Sequence, residues 1–283
     1  MQLSGPSRWL LRLGTAVTLA FLYAPLAVIA IYAFNSTRVQ KWPPAGLTFS
    51  WFDRALHNPG VRDALWTSVK CGLLATGLAL LLGTMAAGAV ARYRFFGREA
   101  VSFLVILPIA LPGIVTGMAL NSTFTQVLGV SLGLLTIVIG HATFCIVVVF
   151  NNVVARLRRT SQSFEEASAD LGASGLQTFR FVVFPQLRSA LVAGALLAFA
   201  LSFDEIIVTT FTAGTEQTLP IWIYANLSRP RQLPIVNVVA VLAILLSRRP
   251  QALPRGRLRP DRTRERPKQQ PKRPCWYRKR QPA

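Results

Sequence analysis

Asp204 and Glu205 stand side by side in a segment that is otherwise apolar from about residue 189 to residue 212. A carboxylate at the centre of a bilayer costs roughly 2.5–3.5 kcal/mol, and less toward the interface, so such a pair faces protein or water and not lipid. Adjacent positions on a helix point about 100° apart, which sends one carboxylate toward an internal pathway and the other toward a neighbouring helix or a basic group. Two chemistries fit the pair: a weak anionic station for a passing cation, or an interhelical hydrogen bond or ion pair of structural use. Trp222 and Tyr224 offer aromatic faces on which an organic cation can stack, and anchoring at a membrane–water interface explains them equally well.

A second group of acids lies in a polar segment. In Ser163-Phe164-Glu165-Glu166-Ala167-Ser168-Ala169-Asp170-Leu171-Gly172, Ser163 suits an N-cap and Glu166 completes the S-x-x-E capping box. Both glutamates would then sit at the positive end of the helix dipole. Gly172 suits the left-handed position that ends a helix, and Pro185 marks a second break. The spacing predicts a helix–turn–helix outside the membrane, shaped to dock in a partner's groove. Metal chemistry has little to stand on: His57 and His141 have no ligand spacing, and Cys71, Cys145 and Cys275 lie far apart. Cys71 and Cys145 sit inside apolar blocks and read as packing residues. No Walker A loop, G-x-S-x-G elbow or dinucleotide fingerprint occurs, so the chain is expected neither to hydrolyse ATP nor to hold a cofactor of its own.

The elements that must position these residues are membrane helices. Of 283 residues, 52% are hydrophobic and 15% charged, and the mean hydropathy is +0.42. The apolar residues fall in blocks of roughly 20, the number a helix needs to cross about 30 Å of hydrocarbon. A soluble enzyme is excluded. Six spans are expected, at roughly 13–34, 69–91, 100–121, 132–155, 189–212 and 233–247. The first is too long for a signal-peptide core of about 7–15 residues and reads as an uncleaved span. Residues 51–56 suit a short interfacial helix facing outward. Pro108, Pro112, Gly113 and Gly117 predict a kinked third span that approaches a neighbour closely, as a packing motif more than a solute contact.

Ten basic residues (Arg8, Arg12, Arg92, Arg94, Arg98, Arg156, Arg158, Arg159, Arg180 and Arg188) fall in the N-terminal segment and two alternate connections; the opposite connections hold six. The positive-inside rule therefore expects a cytoplasmic N-terminus. The formal net charge of +20 is dominated by the tail, where residues 248–283 hold 14 Lys/Arg against Asp261 and Glu265. With 7 of the chain's 18 prolines, this basic tail is expected to be disordered. It reads as the product of a shifted reading frame that cuts the sixth helix short, or alternatively as a polybasic segment for anionic lipid or nucleic acid.

The polar loop carries a further signal. Glu166-Ala167-Ser168, then Gly172 after three residues, then Val182-x-Phe184-Pro185 after nine, resembles the EAA loop of the permease subunits of binding-protein-dependent ABC importers. Ser168, Val182 and Phe184 depart modestly from the pattern. The resemblance runs over roughly residues 10–247 and extends to Ala64-Leu65-Trp66-Thr67-Ser68, Ala91-Arg92-Tyr93-Arg94-Phe95, Leu107-Pro108 to Gly117, Leu201-Ser202-Phe203-Asp204-Glu205 and Thr218-Leu219-Pro220-Ile221-Trp222-Ile223-Tyr224. Within that family the chain is most similar to the second permease subunit of spermidine/putrescine importers.

What the resemblance implies is an all-α polytopic fold of the type I importer class, with a permease domain over 1–247 and a coupling loop at about 160–187. In it Glu165, Glu166, Ala167, Ser168, Gly172 and Pro185 couple the chain to an ATPase. The implied partners are a second permease subunit forming a heterodimer, an ABC ATPase dimer that carries the ATP and Mg, an external solute-binding protein and membrane lipid. Nucleic acid is not an expected partner. The implied solute is a polyamine moving past Asp204, Glu205, Trp222 and Tyr224 in a bacterial inner membrane. Ferric iron, a phosphonate or an opine are the alternative solutes, and a membrane-tethered polybasic scaffold is the alternative of another class.

Overall fold

The computed structural model describes residues 5–248 and their side chains from Ser7 to Leu245. The basic tail, with the frame-shift and polybasic readings attached to it, lies outside the described residues. The chain divides into two units after Ile244. Among the described residues the secondary structure is helical, apart from an isolated antiparallel bridge between Asn35 and Leu47.

Helix α1 (Gly5–Ala33) precedes the short α2 (Ser50–Leu56) and the long α3 (Pro59–Arg92). Helices α4 (Arg98–Ala110) and α5 (Gly113–Ser122) form a bent pair, and α5 runs on into a π-helical turn at Thr123–Val127. Helix α6 (Leu134–Leu157) leads to the connection that holds α7 (Ser163–Asp170) and α8 (Gly175–Thr178). From α8 a π-helical turn at Phe179–Val183 passes directly into α9 (Phe184–Phe203). Three shorter helices follow: α10 (Ile207–Thr212), α11 (Leu219–Leu227) and α12 (Leu233–Arg248).

Four helical stretches are long and apolar enough to cross a membrane: Ser7–Ala33, Pro59–Arg92, Leu134–Leu157 and Gly175–Phe203; the bent α4–α5 pair makes a fifth if it is one span. The apolar part of α12, Leu233–Leu245, is shorter than a span. Six apolar segments are therefore present where six were expected, with changes of detail in the second, third and fifth. Helix α3 starts ten residues before the expected 69, because Asn58 accepts the Val61 N–H at 3.2 Å and Pro59 opens the first turn, the two signals of a helix start. Its first turns are amphipathic, so hydropathy alone did not count them. The third span does not merely kink. It bends by 103° at Leu111-Pro112, where Pro112 holds Leu111 extended at φ −84°, ψ 142°.

The core is built by α3, α6 and α9. Ala79 and Ala87 of α3 and Ala198 of α9 are fully buried against Cys145, Val149 and Val153 of α6. Small residues on two of the three helices let the backbones approach, the packing that membrane helices use where hydrophobic collapse is absent. Cys145 Sγ donates to the Ala198 carbonyl at 3.3 Å, and both Cys71 and Cys145 are buried free thiols. A second cluster joins Trp51 and Ala55 of α2, Val61 and Ala64 of α3, Leu219 and Trp222 of α11 and the start of α12. Helix α2 is thus anchored to the bundle: Trp51 is 5% exposed and its indole N–H donates to the Asn35 carbonyl at 2.8 Å. Helix α1 is the opposite case, with 6% of its apolar window buried. Its hydroxyls at Thr15 and Thr18 satisfy themselves on the Leu11 and Gly14 carbonyls, as lipid requires.

The bend after Pro112 turns α5 onto α10. A Cβ at Gly117 would stand 2.6 Å from Phe211 Cδ2 and 3.2 Å from its Cγ, so the whole Phe211 side chain would have to move. Gly117→Ala is expected to destabilise this contact by about 1–3 kcal/mol, the usual cost of overpacking. The measurement is the amount of chain that survives thermal challenge in detergent, compared with Gly113→Ala, whose nearest neighbour would be at an ordinary 3.5 Å.

Candidate functional site: a capped loop and a polar helix break

The α7–α8 connection is exposed, and its local geometry follows from its polar residues, with one change from expectation. Ser163 is the first residue of α7 and no side chain caps that helix. Its hydroxyl sits 2.7 Å from Ser161 Oγ, and the Gln162 carbonyl takes the Glu165 and Glu166 N–H groups at 2.8 and 3.1 Å. The capping box lies one helix later: Ser174 Oγ accepts from Gln177 N and Gln177 Oε1 from Ser174 N. Gly172 closes α7 at φ +79°, with the Ala173 N–H on the Ser168 carbonyl at 3.1 Å. Ser168 Oγ reaches Thr178 Oγ1 at 3.0 Å and ties α7 to α8.

Pro185 does not break the chain as expected. It occupies the second position of α9, and the preceding π-turn, in which the Phe184 N–H bonds to the Phe179 carbonyl, carries the helix past it. The two glutamates diverge. Glu165 is half-buried, with Oε1 2.6 Å from Arg92 Nη2 at the end of α3, whereas Glu166 is exposed, as is Ala167. A left-handed residue with a Cβ costs about 1–2 kcal/mol, so Gly172→Val is expected to loosen the turn between α7 and α8. Faster limited proteolysis within residues 170–176, with the rest of the chain unaffected, is the expected result.

The acidic pair is placed by a break that the sequence reading missed. Helix α9 ends at Phe203, Asp204 is its C-cap at φ −95°, ψ −1°, and the chain resumes as α10 at Ile207. The expected continuous helix over 189–212 fails because Glu205, the residue before the N-cap Ile206, offers the backbone an alternative: its carboxylate accepts the Val208 N–H of the first turn of α10 at 2.9 Å. Asp204 is exposed and Glu205 half-buried. A helix C-terminus adds partial negative charge beside both.

Across the break lies His141 of α6, fully buried, with Nδ1 2.7 Å from Ser202 Oγ and Nε2 2.8 Å from Thr209 Oγ1. Cys71 Sγ of α3 is 3.7 Å from Nδ1. Sequence reasoning set His141 aside for want of metal-ligand spacing. The available signal was its location, since an ionisable residue inside an apolar helix has a polar partner by necessity. Among the described residues no three of His, Cys, Asp and Glu gather as a metal site.

The two aromatic candidates separate. Trp222 is 6% exposed, wedged against the start of α3 where a Cβ on Gly60 would meet its Nε1 at 2.9 Å. Its ring therefore packs the second cluster and presents no face to a solute. Tyr224 is 67% exposed. Helix α11 is itself held by α3, through the Leu219 N–H on Ser68 Oγ at 2.8 Å.

Residues 79–248 match the family model described as the binding-protein-dependent transport system inner membrane component. The chain is 34% identical over 232 residues to the putrescine transport system permease protein PotI of Escherichia coli (strain K12), covering 79% of this chain and 82% of that one. It is likewise 34% identical over 233 residues to the spermidine/putrescine transport system permease protein PotC of Haemophilus influenzae, covering 82% and 89%. Among solved structures it is similar to a bacterial ABC transporter involved in the import of the acidic polysaccharide alginate, with a TM-score of 0.67, 20% identity, and coverage of 87% of this chain and 95% of that one. The π-turn that carries α8 into α9, the exposed loop before it and the packed α3–α6–α9 core are thus parts of a transport subunit: the chain belongs to the binding-protein-dependent transport system inner membrane components, the permease subunits of ABC importers.

Proposed function

We propose that this permease passes polyamines, spermidine or putrescine, from an external binding protein across the bacterial inner membrane. The observation that carries the reading is the exposed Asp204 carboxylate at a helix break, beside a half-buried Glu205, in a chain whose relatives at 34% identity are named for putrescine and spermidine/putrescine transport. A diamine or triamine needs anionic stations weak enough to release it, and an exposed aspartate at a helix C-terminus can serve as one. The N-terminus is cytoplasmic in this reading, which puts α7 and α8 on the cytoplasmic side with Arg92, Arg94 and Arg98. Glu166 and Ala167, exposed on α7, dock in a cleft of an ATPase that supplies the energy, and a second permease subunit completes the pathway.

Coupling follows from covalent and ionic continuity. Helix α8 runs without interruption into α9, and Glu165 reaches α3 through Arg92. When the ATPases close, α7 moves, α9 and α3 move with it, and the break at Asp204 is carried between an outward and an inward exposure. ATP biases a two-state equilibrium of the helices and does no chemistry on this chain. The test is ATP-dependent uptake of labelled spermidine and putrescine in cells lacking their own polyamine importers, with this chain expressed beside its partner subunits. Uptake competed by unlabelled polyamine supports the reading. No polyamine uptake, with uptake of another solute by the same complex, overturns the substrate.

A further inference from the structure

His141 has no part in the coupling route, yet its ring touches both sides of the helix break. Ser202 lies in the last turn of α9 and Thr209 in α10, and the non-helical Asp204-Glu205-Ile206 falls between them. The hydrogen-bond directions along this line can be assigned. Thr209 has one hydroxyl proton, and its Oγ1 stands 2.6 Å from the Glu205 carbonyl, which can only accept. The proton is spent there. Toward His141 Nε2, at 2.8 Å, Thr209 Oγ1 is therefore the acceptor, and Nε2 carries the ring's hydrogen. A ring with its one proton on Nε2 offers the Nδ1 lone pair, and the Ser202 hydroxyl at 2.7 Å donates to it. A directed chain results: Ser202 O–H to His141, His141 N–H to Thr209, Thr209 O–H to the Glu205 carbonyl, with Cys71 Sγ as a second, longer contact on Nδ1 at 3.7 Å.

The surroundings make this chain stiff. His141 and Thr209 are fully buried, and Ser202 is 4% exposed, so water does not compete for any of the three. The ring is backed by Phe144 at 5.5 Å between centroids, within the α3–α6–α9 core. Glu205 is then fixed twice, through its carbonyl by Thr209 and through its carboxylate by the Val208 N–H. Asp204 hangs between that anchor and the end of α9.

Resting on the proposed role of the acidic pair, we infer that His141 is a positioning residue that clamps the helix break and sets where Asp204 and Glu205 stand in the pathway. A residue that merely filled the core would change the amount of folded protein and leave the placement of Asp204 as it was. The clamp predicts that loss of any link moves Asp204.

The experiment uses the assembled transporter in membranes, with an Asp204→Cys substitution in a Cys275→Ser background; Cys71 and Cys145 are buried. The readout is the rate of labelling at position 204 by a membrane-impermeant thiol reagent. His141→Asn and Thr209→Val should each change that rate on the order of fivefold, the population shift that follows from losing one hydrogen bond. Because they break the same chain, the double variant should change it no more than either single one. His141→Gln, whose amide N–H reaches the place of Nε2, and Thr209→Ser, which keeps the hydroxyl, should return it toward the starting value. Ser202→Ala gives the same reading if His141→Asn does not accumulate. Unchanged labelling in the single variants, additive effects in the double, or a Thr209→Ser variant that labels like Thr209→Val would overturn the clamp. The readout does not involve a solute, so a chain that takes up no polyamine would count against the proposed substrate and leave the clamp standing.

Discussion

Replacing Asp204 by Asn and Glu205 by Gln together is expected to lower polyamine uptake on the order of a hundredfold, since losing charge-assisted contacts to two ammonium groups removes about 3 kcal/mol. The geometry shows why these two substitutions isolate charge from structure. Glu205 Oε1 takes the Val208 N–H at 2.9 Å, and a glutamine oxygen in the same place can take it too, so α10 keeps this hydrogen bond. Asp204 is exposed and makes no cap that Asn would lose. The chain should reach the membrane at its usual level and still bind its ATPase. Glu205→Ala is the useful contrast: it removes the hydrogen bond to the Val208 N–H with the charge, at about 1 kcal/mol, and so loses stability as well as uptake. Unchanged uptake in the Asn/Gln variant would take the pair out of the pathway and leave it a structural device of the break.

How legible this was from sequence depended on how local each feature is. The α7–α8 loop was readable because its signals lie within a few residues of one another: Gly172 ends α7 at positive φ as its type suggests. Even there the choice between two similar patterns needed the structure. Ser163-x-x-Glu166 reads as the capping box, yet the box that forms is Ser174-x-x-Gln177, one helix later, while Ser161 engages the first serine. Pro112 was legible as a disturbance but not as a 103° turn, whose size depends on α5 finding α10 to pack against. The break at Asp204 was hidden by the apolar Ile206-Ile207-Val208 that follows, which makes a hydropathy reading run straight through. The partners of His141 were beyond reach for a different reason. They lie 61 and 68 positions away, and nothing in a single sequence brings Ser202 and Thr209 to His141. Trp222 illustrates the same limit: an aromatic side chain that could stack on a cation or anchor at an interface is instead buried against Gly60 of a helix 162 positions earlier in the chain.

Exchanging the charges at Arg92 and Glu165 should separate docking from transmission, which the neighbouring glutamates of α7 otherwise blur. Glu166 is exposed, and in the proposed reading it belongs to the surface that docks on the ATPase, so Glu166→Lys should release the ATPase from the complex. Glu165 faces inward, and its partner Arg92, with side-chain exposures of 27% and 14%, sits at the end of α3, one of the three core helices. Arg92→Glu sets two carboxylates against each other, and Glu165→Arg sets two guanidinium groups so. An ion pair near the surface is worth up to about 1 kcal/mol, and reversing one charge turns it into a repulsion of similar size, together roughly 10–30-fold in whatever equilibrium the contact supports. If that equilibrium is the coupled movement of α7 and α3, each single reversal should leave the ATPase bound and hydrolysing while uptake falls by that factor. The double variant Arg92→Glu/Glu165→Arg re-forms the pair with opposite sense and should recover most of the uptake, a coupling that a double-mutant cycle measures directly. An ATPase that dissociates from both single variants would place Glu165 in the docking surface with Glu166; full uptake in either would show that α9 alone carries the movement.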